Sequence, residues 1–307
     1  MKKSAYIPLA LLAAVFSMIA VAAASSVIAG TFALQGSVPQ TVGYLSAQQI
    51  GNDPLDRRLD IWMTKSGSTV PIRAYDVDMT KYLHLVIVND NFTMFLHLHP
   101  TLQPDGHFVI KQRLPFAGVF HLYADGEPHG FGQQVFRFDL SLGHPTYFEP
   151  AAVASAEQTQ APPGTITITR DASERHTVAH SSGYTVRLSS NQLPAETEAM
   201  IAIHILKNGK PASDLHPYLG ALAHAVFLNA YDLSYVHAHP MPFSSGNMSP
   251  GSMYPENMKP LPANAHISPN MMLHVFLNEP GIYKLWLQFR GGSQLIVVPF
   301  VITAGQP

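Results

Sequence analysis

Two segments of the chain carry three histidines each in the same pattern, and both residue type and spacing suit metal binding. In each segment a histidine is followed, after twelve intervening residues, by a His-x-His-Pro motif. The motif residues are His84, His97, His99 and Pro100 in the first segment, and His224, His237, His239 and Pro240 in the second. Neutral imidazoles are good nitrogen ligands for Zn²⁺ and Cu²⁺. The sequence therefore predicts a three-His metal site in each segment.

A β-hairpin would bring the three histidines of a segment together. We predict two strands joined by a two-residue turn at residues 90–91, which places His84 opposite His97. Opposed side chains lie about 5 Å apart at Cβ, and His99 projects from the same face as His97 because strand side chains alternate. The same register fits the second segment with a turn at residues 230–231. Structural histidines bonded to backbone carbonyls are the alternative.

Each histidine triple leaves room for a fourth protein ligand. Asp76 and His216 occupy matching positions, eight residues before the first histidine of their triples. His107 follows an Asp-Gly turn close to the first triple. We treat these three side chains as candidate additional ligands, with ordinary hydrogen-bonded surface residues as the alternative.

The second segment is followed by an insertion, residues 241–264, that contains soft ligands. Its methionines are Met241, Met248, Met253 and Met258. Thioethers suit Cu(I), and because the chain has no Cys they are its only soft ligands. We therefore predict Cu(I) binding by this loop, with burial of the methionines as adaptable packing as the alternative. Met271 and Met272 follow the insertion and are predicted to be core residues.

The elements that must position these residues form a duplicated β-rich unit. The string AGVFHLY at residues 117–123 matches PGIYKLW at residues 280–286, which extends the repeat beyond the histidines. Short segments rich in β-branched and aromatic residues indicate strands. The predicted fold class is all-β, with two tandem immunoglobulin-like β-sandwich domains and small barrels as the competing architecture. The predicted boundaries are 30–148 for the first repeat, 149–164 for a linker and 165–305 for the second repeat.

The N-terminus has the pattern of an export signal. Lys2 and Lys3 precede an apolar stretch at residues 5–24 that ends in small residues. Because this stretch is also long enough to span a bilayer as a helix, residues 1–24 are predicted to be a cleaved signal peptide or an N-terminal membrane anchor. In both cases we expect a periplasmic or extracellular protein. If the segment is not cleaved, residues 5–24 anchor the protein to the inner membrane, and we expect no other membrane contact.

Composition and missing motifs exclude several function classes. The chain has 18 Lys+Arg and 20 Asp+Glu, which gives a net charge of −2 and no basic footprint for nucleic acid. The absence of Cys excludes disulfides, thiolate metal sites and Cys nucleophiles. Proline follows each His-x-His, so the H-x-H-x-D-H hydrolase pattern fails, and the glutamate of a cupin pattern is missing. We therefore predict a binding protein rather than an enzyme. A tandem immunoglobulin-like interaction module is the first alternative, and a cupin-like metalloenzyme is the second.

The repeats resemble a family of exported bacterial proteins with H-x-H-P repeats in immunoglobulin-like units. The resemblance is carried by YLHLVIVNDNFTMFLHLHP at residues 82–100 and PYLGALAHAVFLNAYDLSYVHAHP at residues 217–240. It implies export and the handling of heavy metals, chiefly copper, through the histidines of the two motifs. This chain lacks the Cys-containing metal module of some members and has the Met-rich insertion instead. We therefore expect copper, or alternatively zinc, as the ligand, and another exported or membrane metal-handling protein as a partner.

Overall fold

The computed structural model describes residues 26–143, 169–170, 177–181, 183–243 and 259–305. Within these residues the chain is all β, and 24 strands form four sheets. The predicted signal or anchor segment, the predicted linker and Met248, Met253 and Met258 lie outside the described residues. No helix in the described part of the chain is long and apolar enough to cross a membrane.

The N-terminal half supplies two of the four sheets. Its strands are β1 (Val27–Ala29), β2 (Thr31–Phe32), β3 (Thr41–Gln49), β4 (Asp56–Lys65), β5 (Tyr75–Asp76), β6 (Leu83–Asn89), β7 (Phe95–Leu98), β8 (Thr101–Leu102), β9 (Phe108–Arg113), β10 (Gly118–Pro128) and β11 (Gln134–Leu142). Sheet 1 has the order β1-β3-β4-β9-β8, and sheet 2 has the order β2-β11-β10-β6-β7 with β5 also paired to β10.

The C-terminal half supplies the other two sheets in a matching order. Its strands are β12 (Thr169–Arg170), β13 (Thr177–Ser181), β14 (Tyr184–Leu188), β15 (Gln192–Pro194), β16 (Glu198–Lys207), β17 (Lys210–Pro211), β18 (Leu215–His216), β19 (His224–Asn229), β20 (Tyr235–Ala238), β21 (Met241–Pro242), β22 (Asn270–Phe276), β23 (Gly281–Gly291) and β24 (Gln294–Gly305). Sheet 3 is β15-β24-β23-β19-β20 with β18 on β23, and sheet 4 is β12-β13-β14-β16-β22-β21 with β17 on β16. Their pairings are antiparallel apart from β15 with β24.

Three hydrophobic cores lie between successive sheets. One core joins sheets 1 and 2, and another joins sheets 3 and 4, so the four sheets could make two sandwich domains. The third core joins sheets 2 and 3 across the two halves. Strand β6 explains why a third core forms, because Leu85 and Ile87 face the first core while Val86 and Val88 face the core between the halves. A strand that is apolar on both faces needs packing partners on both.

Aromatic side chains from both halves fill this middle core. Phe95 stacks on Trp286 with ring centroids 5.0 Å apart, and Tyr235 stacks on Tyr123 at 5.2 Å. The two pairs are equivalent in the repeat, since Phe95 matches Tyr235 and Tyr123 matches Trp286. The Tyr123 hydroxyl also donates to the Leu233 carbonyl at 2.9 Å. The halves therefore pack face to face with pseudo-two-fold symmetry.

The histidine-bearing hairpins form, but with a different register and turn from the prediction. Val86, not His84, lies opposite His97, and Val226 lies opposite His237. The two-residue turn is wrong, because residues 90–94 connect the strands of the first hairpin. The Asn89 side chain holds this longer connection by accepting the amides of Thr93 and Met94, each at 2.9 Å. A shift of two residues keeps each side chain on its predicted face.

Candidate metal centre

The six histidines of the two motifs lie together at the boundary between the halves, next to the middle core. Within the first triple the ring centroids are 4.8 to 5.2 Å apart, and within the second they are 4.6 to 5.4 Å apart. The distances between triples are as short: His84 to His237 is 5.2 Å and His97 to His224 is 5.2 Å. The two predicted triples therefore lie side by side in one group, here called the six-His cluster.

Each triple is oriented by a side chain from the opposite half. Nδ1 of His97 lies 2.8 Å from Oε1 of Gln288, and Nδ1 of His237 donates to Oδ2 of Asp125 at 3.1 Å. Gln288 and Asp125 are equivalent in the repeat, since both are two residues beyond the matched aromatic residues of β23 and β10. Both are buried, with 1% and 2% of their surface exposed. A hydrogen bond to the second ring nitrogen fixes which nitrogen of a histidine is free to bind a metal.

In the second triple these partners leave two nitrogen lone pairs pointing at each other. When neutral, His237 gives its Nδ1 proton to Asp125, so its Nε2 is bare. His224 gives its Nε2 proton to the Tyr218 carbonyl at 3.0 Å, so its Nδ1 is bare. The two bare nitrogens are 3.2 Å apart, and Nε2 of His239 is 3.1 Å from Nδ1 of His224. Ligands of one tetrahedral zinc ion stand about 3.3 Å apart when the metal–nitrogen bonds are about 2.05 Å. The geometry fits a metal ion.

The first triple repeats this arrangement. Nδ1 of His84 faces Nε2 of His97 at 2.9 Å, while the other nitrogen of His84 faces the Asp78 carbonyl at 3.5 Å. Asp78 is the counterpart of Tyr218 in the repeat. Nε2 of His99 is buried and has no hydrogen-bond partner in the described part of the chain. Because a buried polar atom without a partner is costly, this nitrogen is a further indication that the cluster is built to receive a ligand.

Burial keeps the imidazoles in the form that binds metal. Burial, aided by the charge of His237, lowers the pKa of His84 from 6.5 to about 4. Burial and the charge of His84 lower the pKa of His99 to about 3. For the other members whose pKa is shifted, burial and neighbouring imidazoles hold the pKa well below 6.5: His97, His224 and His239. These rings are therefore neutral near pH 7 and need not lose a proton to bind an ion.

Two aspartates bring negative charge to the cluster. Burial tends to raise the pKa of Asp125, but the hydrogen bond and charge of His237 outweigh burial, so its pKa lies below 3.8. Burial raises the pKa of Asp78 to about 6, although its side chain keeps 36% exposure. Asp78 therefore lies at the rim, whereas Asp125 is a buried carboxylate.

Three overlapping sets of side chains could hold a metal ion. Within each set the potential ligand atoms lie within 4.8 Å of one another. The sets are His84, His97 and His99; His97, His224 and His237; and Asp78, His237 and His239. The second and third of these sets take ligands from both halves. Sequence reasoning missed Asp78, Asp125 and Gln288, because their roles depend on contacts between the halves.

The candidate fourth ligands do not join these sets. Nδ1 of His107 bonds to Asp60 at 2.6 Å and its ring stacks on Trp62. Asp76 pairs with the exposed His129 at 2.8 Å, and Nδ1 of His216 lies 3.3 Å from the Ala265 carbonyl. The carboxylate that does approach the cluster, Asp78, is two residues beyond the one chosen from the sequence.

The methionine prediction is only partly within the described residues. Met241 lies on β21 and is paired with Met272 on β22. Met271 is fully buried, as expected for a core residue. Met272 is only half-buried on the outward face of sheet 4, contrary to its prediction as core. Met241 and Met272 are thus cross-strand neighbours on β21 and β22.

The fold and the site together define an all-β protein with buried histidine clusters that could hold a metal ion. Residues 177–306 match a family described as "Domain of unknown function (DUF8832)". No curated protein shows significant similarity to the chain. The matched segment contains the second histidine triple and not the first, so it covers one side of the six-His cluster.

Proposed function

We propose that this chain is an exported copper-binding protein whose metal site is the six-His cluster between two immunoglobulin-like sandwich domains. The observation that carries the proposal is the pair of bare nitrogens of His224 and His237, 3.2 Å apart in a buried setting. Two lone pairs at this distance repel each other unless a proton or a metal ion lies between them. A metal ion removes the repulsion and uses both nitrogens as ligands.

Copper is favoured over zinc by the remaining chemistry of the chain. Imidazole suits both metals, whereas thioethers suit Cu(I). The Met-rich insertion begins at Met241, two residues after His239. In this proposal Met241, Met248, Met253 and Met258 capture Cu(I) and pass it to or from the cluster. The basic and apolar N-terminus supports export, and the resemblance to copper-handling proteins supports the same role.

Binding rather than catalysis is the activity that we propose. The metal is cargo, and its exchange partner is another exported or membrane metal-handling protein. The alternative with its own support is an interaction module in which the histidines are structural. The bonds of His97 to Gln288 and of His237 to Asp125 support it, because they connect the two halves without a metal.

Metal content distinguishes these two functions. The full-length chain, purified without a His tag, is exposed to copper or zinc salts and dialysed, and bound metal is counted per chain. We expect copper to be retained at micromolar concentration and to be lost from the His97→Leu, His237→Leu double variant. A matched control is His204→Gln, since His204 is bonded to Asn270 outside the cluster. Failure of the natural chain to retain either metal would refute the proposed function.

A further inference from the structure

We infer that the six-His cluster binds two Cu(I) ions side by side, each in its own set of three ligands. This inference rests on the proposed copper-binding function and adds the number, placement and charge of the ions. It starts from the three ligand sets, two of which share no residue. The set His84, His97 and His99 is separate from the set Asp78, His237 and His239.

The two separate sets lie close enough to form one centre. The His84 and His237 rings are 5.2 Å apart, and the His97 and His237 rings are 5.6 Å apart. Two ions in these sets are therefore near neighbours, not ions bound at opposite ends of the protein. His224 lies between the sets, with its Nδ1 3.1 Å from His239 and 3.2 Å from His237. It is placed to complete the set of Asp78, His237 and His239 as a fourth ligand.

The two ion positions are unequal, although the histidines are related by the repeat. The set of Asp78, His237 and His239 includes a carboxylate. The residue equivalent to Asp78 in the repeat is Tyr218, which offers its carbonyl to His224. The set of His84, His97 and His99 therefore has imidazole ligands only, including the unpartnered Nε2 of His99. The ion beside Asp78 then has a nearly complete ligand shell, while the ion in the all-imidazole set keeps an open position from which copper can be exchanged.

The charges near the cluster favour monovalent ions. Asp125 accepts hydrogen bonds from Gln133 at 2.8 Å, from His237 at 3.1 Å and from Tyr235 at 3.2 Å, the pattern of an ionised carboxylate. With Asp78 as the second carboxylate, two Cu(I) ions are balanced charge for charge. Two divalent ions would leave the buried cluster with excess positive charge, and they would repel each other about four times as strongly at the same distance.

A single ion in the middle set is the competing arrangement, and the chain allows a sharp test between them. His99 belongs only to the first set and His239 only to the third, whereas His224 belongs to the middle set. Loss of His99, or of His239 together with its neighbour His224, should therefore remove one of two ions. If a single ion occupies the middle set, loss of His99 or of His239 alone should leave it bound, whereas loss of His224 should remove it.

The experiment is native mass spectrometry of the full-length chain loaded with Cu(I) without oxygen. We expect two copper ions in the natural chain and in the control His204→Gln, and one in His99→Leu and in the His224→Leu, His239→Leu double variant. A single copper that persists in His99→Leu and is lost in His224→Leu would overturn the inference. So would two copper ions that persist in His99→Leu and in the double variant. No bound copper at all would instead refute the proposed function.

A second measurement does not depend on the variants folding. X-ray absorption of the natural chain loaded with Cu(I) should show copper–copper scattering, which requires two ions close together. Two bound copper ions without copper–copper scattering would overturn the inference, because they would be far apart. Circular dichroism of each variant separates loss of copper from loss of fold.

Discussion

Replacement of Asp125 by asparagine tests whether the contact between the halves tunes the metal site. Asp125 accepts three hydrogen bonds, and Nδ1 of His237 is one of the donors. Asparagine has one acceptor oxygen, so one of the donors then faces an amide NH₂. The negative charge that makes His237 a better ligand is also lost. Loss of such a partner of a metal-bound histidine weakens affinity by about 10- to 100-fold, or about 1.4 to 2.7 kcal/mol.

The assay is competition between the protein and a chromophoric Cu(I) chelator. The control is Asp139→Asn, because Asp139 forms a similar bond to His121, at 2.7 Å, outside the ligand sets. We expect Asp125→Asn to lower affinity at least tenfold and Asp139→Asn to leave it unchanged. Equal affinity in Asp125→Asn and the natural chain, or an equal loss in both variants, would refute the argument that Asp125 acts through His237.

Three further predictions concern stability. The metal-free chain should lose stability as the pH falls from 6.5 to 4, because His84 gains a proton near pH 6.5 in the unfolded chain but only near pH 4 in the folded chain. This difference in pKa alone lowers the free energy of unfolding by about 3 kcal/mol. Asp78, whose pKa is raised to about 6, opposes part of this loss, because the folded chain protonates it before the unfolded chain does. Urea unfolding that shows greater stability at pH 4 than at pH 6.5 would contradict the prediction. Trp286→Ala should destabilise the chain by about 3 to 5 kcal/mol because this 3% exposed ring fills the middle core, whereas Trp62→Ala on an outward face should cost less in the same urea experiment. Copper at about 1,000 times its dissociation constant should stabilise the folded chain by about 4 kcal/mol, and calorimetry that shows no rise in Tm would count against binding to the folded state.

The sequence predicted the strands and the face of each histidine, but not the register of the hairpins. His97 and His99 are two residues apart, so any extended conformation puts them on one face. The true register differs from the predicted one by two residues, which preserves that face. The register itself depends on how Asn89 folds back on the connection through its side chain. That local contact has no simple pattern in the sequence.

The sequence predicted only in part that the two histidine triples would lie together. Strand β6 is apolar on both faces, and the same is true of β19, which already indicates that each hairpin is covered on both sides. What covers the second face was not specified by the strand pattern. Packing of sheet 2 on sheet 3 decided it, and brought Phe95 onto Trp286.

By itself, the sequence determined the duplicated all-β architecture and the six histidines, because strand periodicity and repeated spacing are local properties. Only the tertiary structure decided that the triples share one cluster and that Asp78, Asp125 and Gln288 belong to it. The physical reason is that these contacts join residues more than a hundred positions apart, such as His237 with Asp125. Their distances are set by the packing of one half on the other, and spacing within a single repeat carries no record of that packing.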